Sequence, residues 1–282
     1  MLEEFIEGAL KEDIGDGDHT SMSCIDEREK GAARLEVREK GIVAGVNMAK
    51  RVFELFDSSL EIEVLKNDGE VVNSGDVVFI VKGSARSILS TERLVLNLMQ
   101  RMSGIATKTH QMVKIISHTN AVLLDTRKTT PGIRFIEKEA VAIGGGGNHR
   151  FGLYDMIMIK DNHIDYAGGI SKAIQKTHSY LKAKNKQLKK EIEVRSVEEL
   201  KEVLKEGGVH RIMLDNFTQK QIVKALELIP NEYETEASGG ISEKTIVDYA
   251  ETGVNFISVG ALTHSAVALD LSLEFTELSG GE

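Results

Sequence analysis

Two rhythms of apolar residues divide this chain. Over Ala33–Gly45 (ARLEVREKGIVAG) and Leu60–Gly83 (LEIEVLKNDGEVVNSGDVVFIVKG), apolar and polar residues alternate, and the clusters Asn67-Asp68-Gly69 and Ser74-Gly75-Asp76 interrupt the alternation. A period of two puts side chains on opposite faces of a strand, and Gly beside Asn or Asp supplies a turn. Antiparallel hairpins are therefore expected here, after a short N-terminal helix. From Ile88 to Ile116 the spacing changes to steps of three and four or their sum, through Leu89, Leu96, Met99 and Met102, which predicts helix with a break at Gly104.

From Ala121 onward, strand-like and helical runs take turns. AVLLDT, YDMIMIK, EIEVRS, RIMLDN, YETEAS and FISVGA read as strands. GGISKAIQKTHSYLKAK, VEELKEVLKEG, TQKQIVKALELI and SEKTIVDYAETG read as helices, with Ser196, Thr218 and Ser242 as N-caps. Strict alternation means a parallel sheet with crossover helices. The strands end in or next to Arg127, Lys160, Glu193, Asp215, Ser238 and Gly260. Polar groups gathered from many successive strand ends mark the mouth of an α/β barrel; an open doubly wound sheet collects its ligand contacts at one switch point. No GxGxxG or GxxxxGK[ST] string argues otherwise. About six strands are visible, so the barrel is expected to fall short of the usual eight.

Composition narrows the function. With 282 residues the chain can form one large barrel or two domains, and its net charge of -9 repels polyanions and anionic membranes. Nucleic acid and membrane are therefore not expected as partners, and an anionic substrate needs a locally focused positive site. The single Cys24 rules out an intrachain disulfide framework and a CxxC zinc site. The start, MLEEFIEGALKEDIGDGD, is acidic and amphipathic, without the features of a signal peptide, and no apolar run approaches the roughly twenty residues of a membrane helix. A cytoplasmic protein is expected.

That positive site is legible in Leu123–His163, where Arg127, Lys128, Arg134, His149, Arg150, Lys160 and His163 stand near two apolar runs and the string Gly144–Gly147. Cations beside rigid strand ends suit a multiply anionic small molecule. Arg127 can grip a carboxylate or phosphate with paired hydrogen bonds. Lys160 ends an apolar run and has two open roles: a Schiff-base amine, or a cation held charged by Asp161 or a ligand. Glu193 and Asp215, on the next two strands, can bind sugar hydroxyls, hold Mg2+ through water, or steady a developing cation. Glu191 shares a strand face with Glu193, and spacing leaves open which reaches the mouth. The turns Ser238-Gly239-Gly240 and Val259-Gly260-Ala261 follow the last two strands, where barrels build phosphate sites from backbone N–H groups. No HxxxH or HxxEH spacing points to zinc.

ERLVLNLMQRMSGIATKT, LLDTRKTTPGIR, GGGGNHRFGLYDMIMIKDNHI, IMLDNF, ASGGIS and VGALTHS, in this order, closely resemble the quinolinate phosphoribosyltransferases (nicotinate-nucleotide pyrophosphorylases, carboxylating). The resemblance runs from LKEDIGDGDHTS to VGALTHSA, almost the whole chain. It implies an α/β class fold: an N-terminal α/β sandwich domain over residues 1–104, with residues 266–282 packing back on it, and an incomplete, TIM-like α/β barrel over residues 105–265. It implies the conversion of quinolinate and phosphoribosyl pyrophosphate into nicotinate mononucleotide, CO2 and pyrophosphate, with Mg2+, by a homodimer or a higher oligomer. Arg127, His149, Arg150 and Lys160 would surround the quinolinate carboxylates, joined by Arg93 of the partner subunit. Lys128, Glu193 and Asp215 would serve phosphoribosyl pyrophosphate and its metal; Ser238, Gly239, Gly240, Gly260 and Ala261 would hold the 5'-phosphate. Lys160, Glu193 and Asp215 would carry the chemistry. The sequence departs from the family's pattern at Gly147, where a bulkier residue is expected, and at Arg195, where an acid is common. The other readings are a related phosphoribosyltransferase-like protein of molybdenum handling, a barrel aldolase using Lys160, and a phosphosugar sensor; this many carboxylate partners favours the transferase.

Overall fold

The computed structural model describes residues 2–276, which divide into two compact units, the first reaching to residue 108 and taking up the chain again from 266, the second formed by residues 109–265. In chain order the first unit holds α1 (Leu2–Ile14), α2 (His19–Cys24), β1 (Lys30–Val37), β2 (Gly41–Ile42), α3 (Val46–Phe56), β3 (Glu61–Val64), β4 (Val71–Val72) and β5 (Val77–Ser84), followed by α4 (Ala85–Ile115). The second holds β6 (Val122–Leu124), α5 (Arg134–Ile143), β7 (Ile157–Ile159), α6 (Asp161–Ala167), α7 (Ile170–Ala183), β8 (Lys190–Val194) and α8 (Val197–Glu206). It continues through β9 (Arg211–Asp215), α9 (Gln219–Leu226), β10 (Glu234–Ser238), α10 (Ile246–Ala250), β11 (Phe256–Ser258) and α11 (Ala261–His264); β12 (Leu271–Thr276) returns to the first unit. Residues 277–282, the end of the expected returning tail, lie outside the described residues.

The alternating runs do form antiparallel strands, in the order β12-β1-β5-β3, with β2 and β4 as a separate pair. Gly69 and Gly75 sit at φ +90° and +89° in the turns that Asn67-Asp68 and Ser74 announced. Neighbours in sequence are not always neighbours in the sheet: β3 pairs with β5 and β4 with β2, rather than β3 with β4. Against the sheet, Phe53 of α3 meets Phe79 of β5 edge-on at 6.0 Å, both fully buried. Each such ring contributes about 1.5–3 kcal/mol through removal from water.

α4 corrects one expectation, since it runs unbroken through Gly104. A Cβ at Gly104 would stand 2.0 Å from the Val267 carbonyl oxygen, so the glycine serves a close backbone approach instead of a break.

In the second unit all six strands are parallel, ordered β6-β11-β10-β9-β8-β7. Apart from β6 joining after β11, this order follows the chain without the reversal of a doubly wound sheet, as a barrel requires. No ladder joins β6 to β7 among the described residues, and a bridge from Leu124 to Gly147 stands at the gap. The barrel is incomplete. Ser196 and Thr218 cap their helices as expected, accepting from the backbone N–H of Glu199 and Gln221. Ser242 does not: α10 starts only at Ile246 with Thr245 as its cap residue, and Ser242 heads a preceding turn whose carbonyl accepts from Thr245 and Ile246. α5 and α6 were absent from the expected helices; their apolar residues are interleaved with the charges that had been read as site chemistry.

Candidate active site

A cleft of about 820 Å³ opens at the C-terminal ends of the strands of the second unit. Its lining includes the basic residues Arg127, Lys128, Arg150 and Lys160 with His149, the acids Glu193 and Asp215, Ser238, and the turns Gly239-Gly240 and Gly260-Ala261. The residues expected at the mouth from this chain are thus together. Arg93, expected to come from a partner subunit, is exposed on α4 in the part belonging to the first unit. Arg134 and His163, grouped with these cations in the sequence, turn to structural work. Arg134 donates to Thr129 Oγ1 (2.9 Å) and to the Phe151 carbonyl (2.9 Å), and His163 Nδ1 accepts from the Lys160 amide (2.9 Å).

The segment bearing His149 and Arg150 is held from below by a buried ion pair. Asp125, just past β6, and Lys138, on α5, are 0% and 3% exposed, with Lys138 Nζ 2.5 Å from Asp125 Oδ1. Asp125 Oδ1 also accepts from the His149 amide (2.8 Å), and Lys138 donates to the His149 carbonyl (2.9 Å). With its amide oriented to satisfy both ends, Asn148 donates to Asp125 Oδ2 (2.8 Å) and to the Lys138 carbonyl (3.0 Å). Burial pushes the Asp125 carboxyl up and the Lys138 ammonium down, and each charge opposes the other's shift. The loop is thereby tied to a strand end and a helix at once.

Lys160 finds its partner on the neighbouring strand. Its Nζ donates to Glu193 Oε2 at 2.6 Å, a partner outside the alternatives the sequence left open, Asp161 or a ligand. Asp215 accepts from Asn216 Nδ2 (2.6 Å), and Asn216 packs under Gly239, where a Cβ would come within 2.2 Å of Asn216 Oδ1. Gly239 also holds φ +101°, so a side chain there is excluded twice over. Thr263 Oγ1 donates to the Lys128 carbonyl (2.7 Å), fixing that residue against the last turn.

Which glutamate of β8 reaches the mouth is now decided: Glu193 lines the cleft, and Glu191 lies beneath it at 0% exposure. Below the floor, Glu191, Glu236, Arg211 and His149 form a buried ionic layer. Arg211 Nη1 donates to Glu236 Oε2 (2.8 Å), and its guanidinium lies 3.9 Å over the Phe256 ring. Burial pushes both carboxyls, Glu191 and Glu236, up to about 7, and pushes the His149 imidazole down. His149, Glu191 and Glu236 offer ligand-type atoms within 4.8 Å of one another, but Arg211 already supplies the cation of this layer.

A model of the quinolinate phosphoribosyl transferase N-terminal domain matches residues 18–103, and one of the C-terminal domain matches residues 105–274. The chain belongs to the quinolinate phosphoribosyltransferase family. A chloroplastic nicotinate-nucleotide pyrophosphorylase (carboxylating) of Arabidopsis thaliana is 47% identical over 99% of this chain and 84% of its own length. A probable nicotinate-nucleotide pyrophosphorylase of Bacillus subtilis is 42% identical over 98% and 94%. The crystal structure of NadC from Streptococcus pyogenes matches with a TM-score of 0.94 at 38% identity, covering 99% of this chain and 97% of that one.

Within this family fold, sequence reasoning passed over Asp125, Lys138, Asn148, Arg211 and Glu236. An acid at the end of an apolar strand and a lysine on the inner side of a helix each look like surface charges until the fold pairs them. Glu236 carried one faint signal, an acid in the middle of the strand ETEAS. Gly147 stands at the bridge across the sheet's gap, where a Cβ would approach Leu124 Cδ2 to 2.8 Å, so a bulkier residue there requires the Leu124 side chain to shift. Arg195 pairs with Glu199 (2.6 Å) outside the cleft.

Proposed function

We propose that this chain transfers the phosphoribosyl group of phosphoribosyl pyrophosphate to quinolinate with decarboxylation, releasing nicotinate mononucleotide, CO2 and pyrophosphate, a step of NAD biosynthesis. The observation that carries this reading is one cleft lined by Arg127, Arg150 and Lys160, with His149 beside them, together with two carboxylates and two glycine turns. These cations suit a dicarboxylate. Arg127 and Arg150 meet the substrate carboxylates, and Lys160 stays an ammonium beside them. Lys128 faces the pyrophosphate, and Ser238, Gly239, Gly240, Gly260 and Ala261 receive the 5'-phosphate.

As the bond from the sugar to pyrophosphate breaks, positive charge develops on the ribose, and the carboxylates of Glu193 and Asp215 stabilise it from fixed positions. Quinolinate nitrogen takes the vacated position. Loss of CO2 then leaves a carbanion beside the cationic ring nitrogen, and Lys160 or an arginine adds to its stabilisation. No covalent enzyme intermediate is needed. Carboxylate oxygens of this kind fit Mg2+, and Glu193 and Asp215 would hold it through water, where its charge offsets that of the leaving pyrophosphate. The functional unit in this reading is a cytoplasmic homodimer in which Arg93 of the partner subunit joins Arg127, Arg150 and Lys160. Among the described residues no helix is long and apolar enough to cross a membrane.

The test is pyrophosphate release with quinolinate against nicotinate, with and without Mg2+. Quinolinate turnover that depends on Mg2+, with little from nicotinate, is expected, because a monocarboxylate leaves cations of the cleft without a carboxylate partner. Equal turnover of the two acids overturns the specificity.

A further inference from the structure

His149 lines the cleft, yet neither of its ring nitrogens is turned toward ligand. Nδ1 accepts from the Arg150 backbone N–H at 2.7 Å. An imidazole nitrogen that accepts carries no proton, so in the neutral ring the proton sits on Nε2. That nitrogen is buried and points down, 3.0 Å from Glu191 Oε2 and 3.6 Å from Glu236 Oε2. Glu236 is already engaged by Arg211 at 2.8 Å. Glu191, fully buried, has its one ion-pair contact among the described residues in His149, at a distance right for a hydrogen bond and an angle short of one. A carboxylate so placed has a strong electrostatic stake in the ring, because solvent cannot replace it. Arg150, whose amide the ring holds, also lines the cleft, and its guanidinium is fixed by Nη1 donating to the Met156 carbonyl (3.2 Å).

We propose that Glu191 is a positioning residue for the acid-binding half of the cleft: it holds the Nε2 edge of His149, the ring holds the Arg150 amide, and the Arg150 guanidinium is thereby set for a substrate carboxylate. The inference rests on the quinolinate reading above and deepens it. The charges that Glu191 faces agree with this role. They are Arg211 on β9, Arg150 on the loop before β7, Lys160 at the end of β7 and Glu236 on β10. When ionised, Glu191 eases the mutual repulsion of Arg150 and Lys160 before substrate arrives. The logic is that of a carboxylate orienting a catalytic or metal-bound histidine, applied here to a histidine whose other nitrogen fixes a main-chain amide.

The experiment is steady-state kinetics of Glu191→Ala and Glu191→Gln, varying each substrate separately. Glu191→Ala should raise KM for quinolinate by about tenfold or more while KM for phosphoribosyl pyrophosphate stays within about twofold, and Glu191→Gln, which still offers an oxygen to Nε2–H, should recover most of the loss. In an Arg150→Lys background, Glu191→Ala should add little further change. A general structural role would move both KM values together, and that result overturns the proposal, as does a Gln variant as impaired as Ala. Should Glu191→Ala fail to fold, Glu191→Gln and the 15N shifts of the wild-type His149 ring still decide. A protonated Nε2 with a bare Nδ1 supports the arrangement, and the opposite tautomer refutes it. Wild-type protein that does not turn over quinolinate sinks the functional reading itself, and is told apart from failure of this inference, in which wild type is active and the variants show no substrate split.

Discussion

Replacing Asp125 by Ala removes the carboxylate that meets Lys138 Nζ at 2.5 Å and the His149 amide at 2.8 Å, both in surroundings closed to water. Lys138 is then a buried cation whose remaining described partner is the His149 carbonyl at 2.9 Å. Breaking a buried pair in this way costs about 3–5 kcal/mol, most of it the uncompensated charge. For a chain of this size that corresponds to a fall in Tm of roughly 6–20 °C. Removing both charges, Asp125→Ala with Lys138→Met, leaves no buried charge unpaired but strips partners from the His149 backbone groups and from one Asn148 amide donor, a loss of about 1–3 kcal/mol. The double variant should therefore be more stable than Asp125→Ala alone, with a coupling of about 2 kcal/mol or more across the cycle. Thermal or urea unfolding of the four proteins measures it. A single-variant loss below about 1 kcal/mol, or strict additivity, would refute the reading of Asp125–Lys138 as the anchor of the His149 loop.

Arg127→Ala should weaken quinolinate binding by roughly 2–5 kcal/mol, whereas Asp215→Asn should lower turnover with quinolinate binding nearly intact; identical kinetic defects would dissolve the division of the cleft into two halves. Borohydride added during turnover should leave the protein mass unchanged, and Lys160→Arg should keep binding better than Lys160→Ala while losing rate; a reduced adduct on Lys160 would establish a Schiff base instead. Gly104→Ala gains helix propensity of about 1 kcal/mol but drives a Cβ to 2.0 Å from the Val267 oxygen, so the clash wins and Tm should fall; an unchanged or higher Tm contradicts the close approach. The carboxyls of Glu191 and Glu236, raised from 4.5 to about 7 by burial, bind protons more tightly folded than unfolded. Their contribution to stability is thus complete below about pH 4.5 and is lost as pH rises through about 7; a pH-independent difference between wild type and Glu236→Gln would rule this out.

Much of this architecture was written locally. The period of two before residue 84 and the strand–helix alternation after residue 121 arise from side-chain direction along the backbone, which a chain carries with it wherever it folds. The polar residue at each strand end was legible for the same reason, and so the cleft's lining could be named: Arg127, Lys160, Glu193, Asp215 and Ser238 stand where consecutive strands stop. Lys160 beside Glu193 was not legible, because the two are separated by 33 positions and meet only across β7 and β8.

The depth of a residue in the barrel belongs to tertiary structure alone. Glu191 and Glu193 share a strand face, and parity treats them alike; the stagger between neighbouring strands sets one at the mouth and the other in the buried layer with Arg211 and Glu236. Asp125 and Lys138 became an anchor only when α5 folded over the end of β6, and Gly104 changed from a helix breaker to a contact point only when the chain at Val267 came back against it. Periodicity says which way a side chain points, while distances between segments remote in sequence settle whether a charge ends in water, against substrate, or paired in the interior, where an unpaired charge costs most.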